Sequence, residues 1–187
     1  MNASPARIAG DGFVLRAWTL DDAPSLILHA NDKAVSGSLS DRFPFPYTAD
    51  DAQAFLSVPG EPPALNLAIE IDGAAVGGIG LRAGEGELRI GAHIGYWLGQ
   101  RYWNRGVMSR ILPLWCDFVF RHSGFERLHT TVMANNPASA RVLEKSGFVR
   151  EGTLRRAAIK GREVLDMWMY AMIRPQVPHR RPGQAHD

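Results

Sequence analysis

The sequence predicts one α+β domain. Three observations carry that expectation. Apolar residues alternate with polar ones in several short runs separated by Gly-bearing turns, the strand signature. Other runs place apolar residues at helical spacing behind Thr or Asn caps. The 187 residues are 45% hydrophobic and 21% charged, enough apolar material for one core. Residues 1–174 are assigned to the domain. The remainder, "PQVPHRRPGQAHD" (175–187), is a polar Pro/Arg-rich tail of disordered composition.

The elements follow in order. "FVLRAW" (13–18) reads as a strand and leads to a helix opened by Thr19 with Asp22 as a short capping box. "YTADDAQAFLSVPG" repeats the logic: Thr48 caps, Asp50 and Asp51 suit the positive helix start, and Pro59-Gly60 stops it. The loop between these helices, "SLSDRFPFPY", suits either a packed connector or a wall of a substrate pocket. "LNLAIEIDGAAVGGIGL" is a hairpin about Asp72-Gly73. "LRIGAHIGYWL" adds a further strand, with Arg89, Gly91, His93, Gly95 and Trp97 on one face and Leu88, Ile90, Ala92, Ile94 and Tyr96 on the other. These four strands form an antiparallel meander. Residues 107–120 read as a buried helix that Pro113 should bend and that His122 and Gly124 terminate. A strand "RLHTTVMA", a short helix "NNPASARVLEKSGF" and a hairpin about Lys160-Gly161 close the order β-α-α-β-β-β-α-β-α-β-β.

Bulk properties exclude several classes. A net charge of +2 demands no nucleic acid, and Arg180 and Arg181 read as a solvated tail. No apolar run approaches the roughly 20 residues that span a bilayer. The N-terminus lacks a basic-then-apolar leader. The lone cysteine, Cys116, forms no internal disulfide. It sits beside Trp115 on an apolar helix, which suits packing better than nucleophilic work. A cytoplasmic protein without a metal site is expected.

The chemistry concentrates in "WLGQRYWNRGVMSRIL" (97–112). A strand there runs through a glycine-bearing loop into a helix start. The first amides of that helix have no internal partner, and the helix dipole adds about half a positive charge. Gly106 lets backbone approach an anion, with Arg101, Arg105 and Arg110 nearby. The ligand expected from this is a phosphate or pyrophosphate. No Lys-Ser or Lys-Thr follows the glycine, so the P-loop mechanism fails. No G-x-G-x-x-G follows the strand, so the dinucleotide fingerprint fails too. Further on, Asn136 is a good cap and Pro137 suits the first helical position, so Asn136 and Ser139 sit at a helix mouth as caps or as ligands.

In this order and spacing, "IGYWL", "YWNRGVM", "NPASARVLEKSGF" and the final hairpin resemble the GNAT acetyltransferases, specifically the RimJ/RimL-type branch. The resemblance covers residues 13–174. It implies a mixed, mostly antiparallel central sheet with a V-shaped splay and helices on both faces. It implies acetyl-CoA as acyl-donor cosubstrate, with pyrophosphate at Arg105, Gly106, Val107, Met108 and Ser109. It implies a pantetheine arm along Tyr96, Trp97 and Leu98, near Asn136 and Ser139. It also implies transfer to a primary amine, on a protein N-terminus or a small molecule, by direct attack in a ternary complex.

The chain departs from the family pattern twice. Asn104 stands where the loop's first glycine is usual, and Met108 where its last small residue is. The branch often carries glutamate before "IGYW", and here His93 stands there. An α-amine with a pKa near 8 loses its proton near neutral pH for under about 1 kcal/mol, and a lysine amine for about 4 kcal/mol. His93, with an ordinary pKa near 6.5, suits the base role; Glu70 and Asp166 are weaker candidates. Ser139 is the first candidate to meet the departing thiolate, with Tyr96 second. The alternative is a non-catalytic acyl-CoA-binding module in which the altered loop marks lost chemistry. A homodimer through the closing hairpin is compatible with the sequence.

Overall fold

The computed structural model describes residues 7–57 and 64–175. The expected Pro59-Gly60 helix stop and nearly all of the tail lie outside them. Eight strands form one sheet: β1 (Ile8–Gly10), β2 (Phe13–Ala17), β3 (Ala64–Ile71), β4 (Ala74–Ala83), β5 (Gly91–Leu98), β6 (Arg127–Met133), β7 (Val149–Lys160) and β8 (Glu163–Ile173). Five helices accompany them: α1 (Ala23–Ala30), α2 (Lys33–Gly37), α3 (Ala49–Ser57), α4 (Val107–His122) and α5 (Pro137–Lys145). The sheet order is β1-β2-β3-β4-β5-β6-β8-β7. Every neighbouring pair is antiparallel except β5-β6.

The meander and both hairpins stand as read. Asp72 (φ 51°) and Gly73 (φ 79°) take the left-handed conformations that a two-residue turn requires, and Gly161 (φ 62°) does so between β7 and β8. Thr48 and Asp51 form a complete capping box: Thr48 N–H donates to Asp51 Oδ2 (2.8 Å) and Asp51 N–H to Thr48 Oγ1 (3.2 Å).

Burial explains the two-sided packing. Leu15, Ile69, Ile79, Ile94 and Leu128 point from the sheet onto Ile111, Leu112 and Trp115 of α4, all at 0–1% exposure. At roughly 1.5–3 kcal/mol for each such side chain, this layer is the main source of cohesion. On the opposite face a second cluster gathers Leu26 and Ala30 of α1, Ala52 of α3 and Tyr47.

Two elements escape the sequence pattern. β1 pairs with β2 across an Asp11-Gly12 turn, and α2 is capped by Asp32, whose Oδ1 accepts from Ala34 N–H (2.7 Å) and Val35 N–H (3.3 Å). One expected strand is too long. Residues 86–90 form a 3-10 turn, closed by Arg89 Nη1 donating to Gly86 O (2.8 Å), and β5 begins only at Gly91. Leu88 and Ile90 therefore stand in solvent at 69% and 56% exposure instead of lining the core. From Gly91 onward the alternation holds. α4 continues without a break through Pro113.

The feature that positions the site is a parting of strands. β5 pairs with β4 along its whole length, from Ala83↔Ala92 to Gly77↔Leu98. β6 pairs with β8 along its whole length, from Arg127↔Ile173 to Met133↔Met167. Between β5 and β6, pairing covers only Gly91↔Arg127, Ala92↔Leu128 and His93↔His129. Beyond His93 the two strands diverge into the expected V.

Candidate active site

A cleft of about 1250 Å³ opens where β5 and β6 part. It exceeds the ~300–1,000 Å³ of ordinary small-molecule pockets, which suits two substrates better than one. Of the residues singled out in the sequence, the cleft is lined by His93, Tyr96, Trp97, Leu98, Gly106, Val107, Met108, Ser109, Asn136 and Ser139. Arg105 is exposed beside it, and the carbonyl of Arg105 accepts from Arg110 Nη1 (3.3 Å). Glu70 and Asp166 do not line it. Glu70 is held in an ion pair by Arg16, while Asp166 Oδ1 accepts from Arg156 N–H (2.8 Å). Those two carboxylates have structural work elsewhere.

One end of the cleft is the start of α4. Gly106 is its N-cap residue at φ 69°, ψ 8°, and no side chain caps the helix. The free amides at this end are therefore open to a ligand. Asn104 is also left-handed, at φ 58°. Asn is among the few residues that visit this region readily, so it keeps the turn that a glycine would make. Met108 is 7% exposed within the main core, so its side chain turns away from the loop. Both departures from the family pattern thus preserve backbone shape.

The wall of the cleft is the unpaired edge of β5. Gly99 N–H donates to Val76 O (2.8 Å), and Gly84 N–H to Gly91 O (2.9 Å). Antiparallel alternation then points the backbone groups of His93, Gly95 and Trp97 at β4. Those of Tyr96 and Leu98 point into the gap. Leu98 O accepts there from Trp103 Nε1 (2.6 Å), leaving Tyr96 N–H, Tyr96 C=O and Leu98 N–H facing the cleft. Trp97 lines the cleft by its position, but its backbone belongs to the β4 ladder.

Two hydroxyls meet across the gap. Tyr96 OH lies 2.9 Å from Ser139 Oγ, and it also donates to Ser139 O (3.3 Å). Asn136 Oδ1 accepts from Ser139 N–H (3.1 Å), so the cap holds Ser139 in place and leaves the Asn136 amide nitrogen unspent. Burial pushes the Tyr96 phenol up to about 12, against the smaller opposing effect of its Ser139 hydrogen bond. It stays protonated at neutral pH and can donate.

On the opposite face of the sheet stands His93. Its ring meets that of His129 edge-on, with centroids 5.6 Å apart. Burial, then the neighbouring His129 and Arg82, pull the His93 pKa below its usual value. The same holds for His129, where burial and Arg127 outweigh Glu151. A neutral imidazole at pH 7 is the form that accepts a proton. The loop 38–47 divides its work: Ser38 to Arg42 line the cleft, while Phe43 and Tyr47 pack with Trp97 and the second cluster. Lys160 at the tip of the closing hairpin ties this loop down, donating to Leu39 O (2.9 Å) and to Asp41 Oδ1 (2.7 Å).

Sequence reasoning missed Arg82, His129 and Thr131 near the site, and read the loop that carries Arg42 as a packed connector or a pocket wall without singling that residue out. Arg82 had a legible signal: it lies directly opposite His93 in the β4-β5 hairpin. The others depend on nonlocal placement. Cys116 is 1% exposed and burial pushes its thiol up to about 12, which fits packing and not nucleophilic attack. Among the described residues no cluster of potential metal ligands exists, and no helix is long and apolar enough to cross a membrane.

A family profile for the acetyltransferase (GNAT) domain matches residues 13–149. The chain is 31% identical over 85 residues to the uncharacterized N-acetyltransferase YoaA of Bacillus subtilis, covering 46% of this chain and 48% of that one. It is 29% identical over 82 residues to the ribosomal-protein-serine acetyltransferase of Escherichia coli, covering 44% and 46%. The matched segments thus span about half the length of these curated relatives. Among solved structures, RimL, a ribosomal L7/L12 α-N-protein acetyltransferase in complex with coenzyme A, superposes with a TM-score of 0.79. It is 23% identical and covers 90% of this chain and 98% of that one. An acetyltransferase of the same family from Bacillus anthracis gives a TM-score of 0.78 at 23% identity, covering 90% and 99%. At that identity the two structures establish the fold.

Proposed function

The chain belongs to the GNAT acetyltransferase family, and from that premise we propose that it transfers the acetyl group of acetyl-CoA to a primary amine by direct attack within a ternary complex. The observation that carries this is the parting of β5 and β6. It opens one passage with an uncapped helix start at one end, free strand amides along its wall and an imidazole across the sheet. Those groups fit acetyl-CoA in sequence: phosphates at the amides following Gly106, and an amide-bearing arm along the edge of β5.

Acetyl-CoA supplies the activated acyl group; the chain positions it and manages protons. The Tyr96 N–H faces the gap nearer the His93 end of β5, where it suits a carbonyl oxygen gaining negative charge. His93, held neutral, takes the proton that the acceptor amine must lose, directly or through water. Tyr96 OH and Ser139 Oγ form a hydroxyl pair on the thiol side, and a proton or hydrogen bond from it stabilises the leaving thiolate.

The test is thiol release from acetyl-CoA with a panel of amines, alongside calorimetric acetyl-CoA binding. Amine-dependent thiol release supports the proposal. Acetyl-CoA binding without turnover on any amine would favour an acyl-CoA-binding module. RimL and the serine acetyltransferase act on ribosomal proteins by their names, so peptides bearing a free N-terminus belong in the panel.

A further inference from the structure

The charges on the His93 side of the cleft point away from a cationic acceptor. The titratable residues lining that side are Asp41, Arg42, Arg82, His93 and Lys160. Asp41 is already paired with Lys160 at 2.7 Å. The His93 imidazole is solvent-exposed, and partial desolvation, His129 and Arg82 draw its pKa below the usual value. Two guanidiniums remain, Arg42 and Arg82, and neither forms an ion pair with any described residue. No unpaired carboxylate of the described residues lines this side. A polyamine would bring a second ammonium into a positive field with nothing to receive it.

Resting on the acetyltransferase reading, we propose that the acceptor carries its own carboxylate close to the amine, and that Arg82 receives it. Arg82 and His93 are directly opposed on β4 and β5, so both side chains leave the same face of the sheet. Opposed Cβ atoms on such a pair are about 5 Å apart. A carboxylate held by the Arg82 fork therefore leaves an amine two or three bonds from the carboxylate carbon on the same face of the sheet as the imidazole. Arginine suits this role because its planar donors pair with a carboxylate through two parallel bonds. Arg42, on the loop that Lys160 anchors, lines the same cleft. The carboxylate has two sources: the acceptor's own α-carboxylate in a free amino acid, or the side chain of an acidic N-terminal residue in a peptide.

The experiment compares matched acceptors with the full chain and acetyl-CoA. Aspartate is set against its diamide, an Asp-Ala-Ala amide peptide against its Asn-Ala-Ala twin, and spermidine against both. The carboxylate-bearing members are expected to show kcat/KM higher by about tenfold or more. Arg82→Gln should reduce that value about tenfold to a hundredfold while leaving the amide twins within about threefold. Arg82→Lys should restore part of the loss. Preference for aspartate or for the Asp peptide identifies the source of the carboxylate, and either supports the proposal. Spermidine or the amide twins reacting as well as the acids would overturn it. So would an Arg82→Gln protein that loses both members of a pair equally. Turnover of spermidine or the amide twins with none of any carboxylate-bearing amine overturns this proposal alone, whereas failure to bind acetyl-CoA, or binding without turnover of any amine, overturns the acetyltransferase reading with it.

Discussion

Replacing Gly106 with alanine separates two roles of one residue. The site sits at φ 69°, ψ 8°, where an L-residue is disfavoured by about 1–2 kcal/mol. A Cβ there would meet only Arg110 Nη1 at 3.6 Å, an ordinary contact, so no clash adds to the cost. Alanine also narrows the unfolded ensemble, which returns roughly 0.4–1 kcal/mol. The net loss should be about 1 kcal/mol, or roughly 2–4 °C in Tm for a domain of this size. That strain exists with or without ligand, so by itself it leaves acetyl-CoA affinity unchanged. The new methyl group, however, stands where a phosphate would approach the amides of α4. Affinity should therefore fall by about tenfold or more, the worth of a lost charge-assisted hydrogen bond. Thermal unfolding of the free protein reads the first quantity and calorimetric titration with acetyl-CoA the second. A Gly106→Ala protein that melts lower yet binds acetyl-CoA as the parent does would refute the phosphate reading of this loop. One that melts unchanged would refute the backbone argument. Asn104, at φ 58°, is the control: Asn104→Gly should leave the melt nearly unchanged and Asn104→Ala should lower it.

Other consequences can be measured separately. His93→Ala should lower kcat by about 10²–10⁴-fold with acetyl-CoA affinity intact, and an undiminished kcat at neutral pH would remove His93 as the base. Ser139→Ala keeps the Asn136 cap, because the donor there is the backbone N–H; it should melt close to the parent, and the Tyr96→Phe, Ser139→Ala double variant should turn over more slowly than either single. Lys160→Met releases the loop from the hairpin, so acceptor KM should rise without a change in acetyl-CoA affinity; a shift in affinity alone would contradict that division. Acid should destabilise the fold. Burial lowers the pKa of His29, His93 and His129, so below the unfolded value near 6.5 the unfolded chain takes up protons that the folded chain refuses. Their contribution is complete above that pH and is lost as pH falls. A melting temperature constant from pH 7.5 to 5 would contradict it.

What was legible in the sequence was local. Caps, turns and helix faces announce themselves within a few residues, as the Thr48 box, the Asp72-Gly73 turn and the Asn136 cap did. The apolar period failed at Leu88 and Ile90, where alternation alone cannot tell a strand from an exposed turn. β1 and α2 are too short to build a period at all. The open amides at the start of α4 could be expected from the sequence, because a helix start after a glycine carries its own physics. His129 and Thr131 could not, because their relevance depends on which strands become neighbours. His129 reaches His93 through a parallel pairing of strands more than 30 residues apart, which no local pattern encodes.

The cleft is a product of what each strand does on its far side. β5 is committed to β4 as far as Leu98, and β6 to β8 as far as Met133. Each follows its outer partner, and the twist that each ladder carries separates them after His93. A sheet opened in this way leaves Tyr96 N–H, Tyr96 C=O and Leu98 N–H without strand partners beside a well-packed core. Backbone groups so placed require water or a ligand. An extended ligand with alternating amides meets that requirement as a missing strand would, while an anion at its far end meets the start of α4. On the proposed function the reacting end lies toward the apex of the V, where the last β5-β6 pair is His93 and His129. The position of the imidazole at the vertex is thus set by the topology that makes the gap.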